Sequence, residues 1–207
     1  MCAGLNNTSL DSTVLSQTII SKDGIAIYTD SLIPAEKSEL FLLQLSKNIQ
    51  WKNDESVIFG KHYITRRKTA WYGDKPFNYT YSKIKRTALP WTNELLEIKH
   101  IVENYESTKF NSCLLNLYHD GDDGMGWHSD NEKELIKNGI IASISLGAER
   151  KFSFRHKKTE EKIDLVLRNG SLLVMKEQIQ THWMHQLPRS KKIKEPRINL
   201  TFRMISS

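Results

Sequence analysis

Arg197-Ile198-Asn199-Leu200-Thr201-Phe202-Arg203 alternates strictly between polar and apolar residues. Successive side chains of a strand point to opposite faces. Arg197, Asn199, Thr201 and Arg203 therefore share one face, and Ile198, Leu200 and Phe202 the other. Four polar side chains turned into a core need something to bind, because a buried polar group without a partner is costly. The alternation fits an edge strand with its polar face in water equally well. Two arginines on the polar face favour a binding role, since a guanidinium grips a carboxylate with paired hydrogen bonds. Asn116 and Tyr118, two residues apart on an earlier apolar run, repeat the pattern and add donors to the same pocket.

Outward from this stretch, the chain reads as β from about residue 110. Candidate strands cover 111–118, 140–146, 151–155, 162–167, 171–175, 180–186 and 197–204, with short polar connections except after Asp130. Many short strands with polar turns predict a sandwich or jelly roll. Two helices precede them. Pro34 suits a first helical turn, and Leu42, Leu45 and Ile49 follow at helical spacing. After Pro90, the residues Trp91, Leu95, Ile98, Val102 and Tyr105 form one apolar stripe. Between the helices, Trp51 to Arg86 breaks into short β pieces, with turn signals at Phe59-Gly60 and Gly73-Asp74. The expected class is α+β with a mainly β core. Residues 1–20 are expected to be a flexible tail and 21–207 one domain, with a lid at about 51–90 and a jelly-roll core at about 110–205.

His128-Ser129-Asp130 and His185 carry the chemistry. Two imidazoles and one carboxylate are the ligand set of a facial-triad iron(II) site, which leaves coordination positions open. His128 and Asp130 are two residues apart, the spacing that puts both on one face of a strand. A closed structural zinc site favours cysteine and four ligands, and Cys2 and Cys113 lie away from these residues in sequence. Catalytic zinc would leave the two arginines, 12 and 18 residues after His185, without a role. A metal beside a dicarboxylate grip points instead to an oxygenase that uses iron(II), 2-oxoglutarate and dioxygen.

The chain has 207 residues and a net charge of +6. Its basic residues cluster. Lys61, Arg66, Arg67, Lys68, Lys75, Lys83, Lys85 and Arg86 are opposed only by Asp74, and Arg189, Lys191, Lys192 and Lys194 form a second group. The first cluster is interleaved with Phe59, Tyr63, Trp71, Tyr72, Phe77, Tyr79 and Tyr81. Cations with flat rings among them favour a nucleic-acid partner over a merely solvated face. Two cysteines make no disulfide framework. No N-terminal apolar run resembles a signal peptide, and none approaches a membrane span. A cytoplasmic monomer with no membrane partner, nuclear in a eukaryote, is expected.

The motifs Asn116-x-Tyr118-x-x-Gly121, His128-Ser129-Asp130-x-Glu132, Thr181-His182-Trp183-x-His185-x-Leu187-Pro188 and Pro196-Arg197-x-Asn199-Leu200-Thr201-Phe202-Arg203 resemble those of the AlkB family of 2-oxoglutarate- and iron(II)-dependent dioxygenases, over about residues 57–205. The resemblance implies a double-stranded β-helix, with His128, Asp130 and His185 as iron ligands. It implies Asn116, Tyr118, Arg197, Asn199, Thr201 and Arg203 as the 2-oxoglutarate pocket, and the lid as the nucleotide-recognition element. On that lid Phe59, Gly60 and Lys61 match a hairpin that probes the duplex, and Tyr79, Thr80 and Tyr81 a strand that stacks on the target base. Asn131 and Glu132 match positions facing the base, and Arg67 a lid contact. The implied reaction is oxidative demethylation of N-alkylated bases in DNA. RNA, another substrate of the same chemistry, and a binding module with a vestigial metal site are the alternatives.

Overall fold

The computed structural model describes residues 15–58, 61–81 and 84–206, with backbone alone for 56–58, 61–63, 78–81 and 84–86. In chain order the elements are β1 (Ser16–Ile20), β2 (Ile25–Thr29), α1 (Ala35–Asn48), β3 (Lys52–Ile58), β4 (Lys61–Gly73), β5 (Asn78–Tyr81) and β6 (Ile84–Thr87). Then follow α2 (Asn93–Glu106), β7 (Ser112–Tyr118), β8 (Met125–His128), β9 (Ile141–Gly147), β10 (Arg150–His156), β11 (Lys162–Leu167), β12 (Leu172–Lys176), α3 (Ile179–His182), β13 (Trp183–Leu187) and β14 (Arg197–Arg203). Eight strands form one sheet in the order β1-β2-β12-β9-β14-β7-β4-β3, and four form a second in the order β11-β10-β13-β8. The strand pairings that build both sheets are antiparallel. This is the expected jelly roll.

The alternation of β14 is realised as a division between two interiors. Ile198, Leu200 and Phe202 are fully buried on the helix side of the large sheet, in one cluster with Phe41 and Leu45 of α1 and Leu95, Ile98 and Val102 of α2. Arg197, Asn199, Thr201 and Arg203 face the cavity between the sheets. Removing the helices' apolar stripe from water supplies most of the cohesion on that side, at about 25 cal/mol per Å2 of apolar surface. A second cluster, with Phe154, Met175, Ile179 and Trp183, closes one end of the space between the sheets.

Both helices lie where the sequence puts them. α1 starts after Pro34, and α2 after Thr92, whose side chain accepts a hydrogen bond from the Leu95 amide. Three expectations are corrected. Residues 1–20 were expected as a tail, but Ser16–Ile20 is an edge strand on β2. Its β-branched Thr18-Ile19-Ile20 favours a strand, and Ile20 is buried in the second cluster. Residues 180–186 do not start as a strand. Residues 179–182 make a helical turn first, and Ile179 packs against Gly24, where a Cβ would come within 2.5 Å of the Ile179 backbone. Residues 125–128 form a strand that the apolar pattern does not show. The segment expected as the lid is rooted in the large sheet: β4 pairs with β7 from Lys68 to Gly73, so β3 and β4 are the outer strands of that sheet.

Candidate metal and co-substrate site

His128 ends β8 and His185 sits in the middle of β13, directly across the ladder from it. Between His128 and Met125 the strand carries one residue more than its partner does between His185 and Leu187. That bulge turns both Met125 and His128 to the cavity. Asp130 lies beyond the end of β8, in a loop. The expectation of His128 and Asp130 side by side on one strand is therefore corrected: the strand places one ligand and a loop the other. Ligand atoms of His128, Asp130 and His185 nevertheless lie within 4.8 Å of one another. His128 Nδ1 is 2.8 Å from the Gly126 carbonyl, which fixes that nitrogen as the donor and leaves Nε2 toward the site.

Burial pushes the His185 imidazole down to about 3, against the raising effect of Asp130, so this ring is neutral at ordinary pH. It stacks on Phe152 at 5.5 Å. Burial alone would raise the Asp130 carboxyl, but the Arg203 guanidinium and the two imidazoles hold it below the usual carboxylate range. Arg203 Nη2 donates to Asp130 Oδ2 at 2.6 Å. Two imidazoles and one held carboxylate, with no fourth such ligand grouped with them among the described residues, fit an iron(II) ion with open positions.

The same cavity, of about 160 Å3, continues to Arg197. This residue is 2% exposed. Nη2 donates to Ser145 Oγ at 2.9 Å, while Nε is buried without a hydrogen-bond partner. Among the described residues no carboxylate pairs with it. Burial pushes this group down to about 10, which still leaves it cationic at neutral pH. Tyr118 stands among three guanidiniums, those of Arg197, Arg150 and Arg67, at 5.4, 5.8 and 6.0 Å from its ring. A desolvated cation beside a tyrosine in a concave site suits an incoming carboxylate. Asn116 and Thr201 also line the cavity. Asn199 is engaged within the wall: its amide donates to Ser143 Oγ and the Ile144 carbonyl, and its oxygen accepts from Thr201.

Arg67, expected as a lid contact, instead points inward. It is 7% exposed and donates to Asn116 Oδ1 and Asp54 Oδ2. Glu132 lines the cavity, with a buried Oε2 that has no hydrogen-bond partner. Asn131 does not line it: this exposed residue faces a neighbouring cavity behind Asp130 and Arg203. Phe59 and Gly60 lie outside the described residues, as do the side chains of Lys61, Tyr79, Thr80 and Tyr81. Sequence reasoning missed Asp54, Arg150 and Gln180. Arg150 is 1% exposed and donates to the carbonyls of Asp120, Asp123 and Pro188, fixing the turn after Tyr118. Its signal in the sequence is slight, a charged residue opening an apolar run.

Residues 24–203 match the 2OG-Fe(II) oxygenase superfamily. The chain is 40% identical to human DNA oxidative demethylase ALKBH2 over 189 residues, covering 86% of this chain and 72% of the relative. It is 35% identical to mouse alpha-ketoglutarate-dependent dioxygenase alkB homolog 3 over 201 residues, covering 92% and 68%. Among solved structures, that of OsALKBH1 superposes with a TM-score of 0.63 over 91% of this chain and 100% of the other, at 15% identity, a likeness of fold.

Proposed function

We propose, for a chain that belongs to the AlkB family of iron(II)- and 2-oxoglutarate-dependent dioxygenases, that its reaction is the oxidative demethylation of N-alkylated bases in DNA, of the N1-methyladenine and N3-methylcytosine kind. The observation that carries the co-substrate assignment is Arg197: a buried guanidinium without a carboxylate partner among the described residues, in one cavity with His128, Asp130 and His185. The substrate reading is supported by relatives named as DNA oxidative demethylases and by the basic, aromatic lid.

His128, Asp130 and His185 would hold the iron. When bound, the metal with 2-oxoglutarate and dioxygen supplies the oxidising power that hydroxylates the N-methyl group, and 2-oxoglutarate leaves as succinate and carbon dioxide. Arg197 would take the far carboxylate, with Asn116, Tyr118, Asn199 and Thr201 around it. Arg203 would orient the near end while holding Asp130. The hydroxymethyl group then leaves the base nitrogen as formaldehyde, restoring the base. A paired base cannot reach this cavity, so it must leave the stack. Phe59, Gly60 and Lys61 would fill the gap, and Tyr79 and Tyr81 would stack on the extruded base beside Thr80. Glu132, with an unpartnered oxygen in the cavity, would accept from an exocyclic amine, with Asn131 nearby.

No helix among the described residues is long and apolar enough to cross a membrane. The proposed enzyme acts as a monomer, in the cytoplasm or, in a eukaryote, the nucleus.

The test is mass spectrometry of a duplex oligomer carrying one N1-methyladenine, after incubation with the protein, iron(II), ascorbate and 2-oxoglutarate. Loss of the methyl group only when 2-oxoglutarate is present is the expected result. An untouched DNA oligomer beside a demethylated RNA counterpart would overturn the DNA assignment and keep the chemistry.

A further inference from the structure

We propose that Gln180 is a positioning residue for the metal-ligating carboxylate, holding the Asp130 loop to the strand that carries His185. The inference rests on reading His128, Asp130 and His185 as the metal site.

Asp130 sits two residues past the end of β8 and opens the irregular segment 131–140. No strand pairing fixes it, so other contacts must. Ser129 Oγ donates to the Trp183 carbonyl at 2.8 Å. The Asp130 amide donates to Gln180 Oε1 at 2.9 Å. Arg203 holds the carboxylate itself. The first two contacts run from the loop to one short piece of chain, the turn α3 and the first residue of β13. His185 follows five residues after Gln180. One side chain therefore ties the loop ligand to the segment that delivers a strand ligand.

Gln180 is itself held at two further points. Its Nε2 lies 3.3 Å from Met175 Sδ, and its carbonyl accepts from Lys157 Nζ at 2.8 Å. Its side-chain amide oxygen is the acceptor that anchors the Asp130 backbone. Outer partners of this kind typically contribute 10- to 100-fold in metal affinity when removed. Gln180 also lines the neighbouring cavity behind Asp130 and Arg203.

The test is Mn(II) affinity of the full chain, read from the free-ion electron paramagnetic resonance signal, beside the unfolding midpoint of the metal-free protein. Gln180→Met keeps the length and removes the acceptor, and it should weaken Mn(II) binding 10- to 100-fold. Gln180→Glu keeps an oxygen on the same stem and should stay near the parent affinity. Both metal-free midpoints should match the parent. Should Gln180→Met fail to fold, Gln180→Ser, too short to reach Asp130, carries the same expectation. Parent-like binding by Gln180→Met, or equal weakening by Met and Glu, overturns the proposal. A parent protein that binds no Mn(II) overturns the metal reading beneath it, a distinguishable failure.

Discussion

The two ends of the cavity are built on opposite electrostatic principles. At the metal end the chain compensates its own charges: Asp130 faces Arg203, and the His185 ring beside them is kept neutral by burial. At the Arg197 end it does not. Arg197 is as deeply buried, yet it meets a serine hydroxyl and a tyrosine, and Arg150 adds a second cation nearby. Burying a charge is costly unless it is paired. The metal end is thus complete apart from its ion, while the other end holds an unmet demand for an anion. In an iron(II)- and 2-oxoglutarate-dependent dioxygenase this division has a clear use. The ligands wait in place, and the proposed dicarboxylate supplies the missing countercharge as it arrives.

The largest expected effect strikes the metal end. Asp130→Ala removes the single anionic member of the triad and should abolish turnover, measured as succinate formation from 2-oxoglutarate. Undiminished succinate would break the assignment of that end altogether.

Next come paired substitutions that test the contrast directly. Arg203→Met leaves the Asp130 carboxylate buried without its partner. It should destabilise the metal-free protein by about 3 to 5 kcal/mol, the usual consequence of removing one member of a buried pair, as read by urea unfolding. Arg197→Met removes a buried cation that has no counter-ion among the described residues, so metal-free stability should hold or rise. Its loss should appear in binding instead: 2-oxoglutarate affinity should fall by about 2 to 5 kcal/mol, the range for losing one side of a buried charged pair, measured by calorimetry. Equal destabilisation by both substitutions would erase the distinction between the two ends.

The division was partly legible in the sequence. The period of two in residues 197–203 survives in the fold because the strand separates two interiors, one apolar and lined by helices, the other polar. Likewise His128, Asp130 and His185 come together as read, although through a bulge and a loop and not by strand spacing. A bulge depends on the pairing partner, and residues 125–128 do not name theirs. Asp54, Arg150 and Gln180 were invisible, and Arg67 was read as a lid contact, for a related reason. Each acts on a residue far away in the chain, Arg67 on Asn116 and Gln180 on Asp130, and no local periodicity records such a meeting. After Asp130 the loop carries Asn131 into the neighbouring cavity, which local spacing does not record. The helical turn 179–182 was hidden by an apolar β-branched Ile179 that suits a strand as well as a core helix.

The smallest effect sharpens the comparison at the Arg197 end through pH. Burial depresses the Arg197 guanidinium to about 10 from an ordinary value near 12.5. A dicarboxylate binds its protonated form, so affinity should be flat at neutral pH and weaken as pH rises through that value. Half of the sites are deprotonated at the pKa, so the apparent Kd of metal-free protein for 2-oxoglutarate should be about twofold higher at pH 10 than at pH 8. Another half unit should bring it to about fourfold. An arginine with a strong buried counter-ion would keep its proton across this range. A flat titration would therefore mean that Arg197 is compensated after all, and that the two ends are alike. In Arg197→Met the residual binding should show no such dependence, which separates this titration from that of the surface lysines.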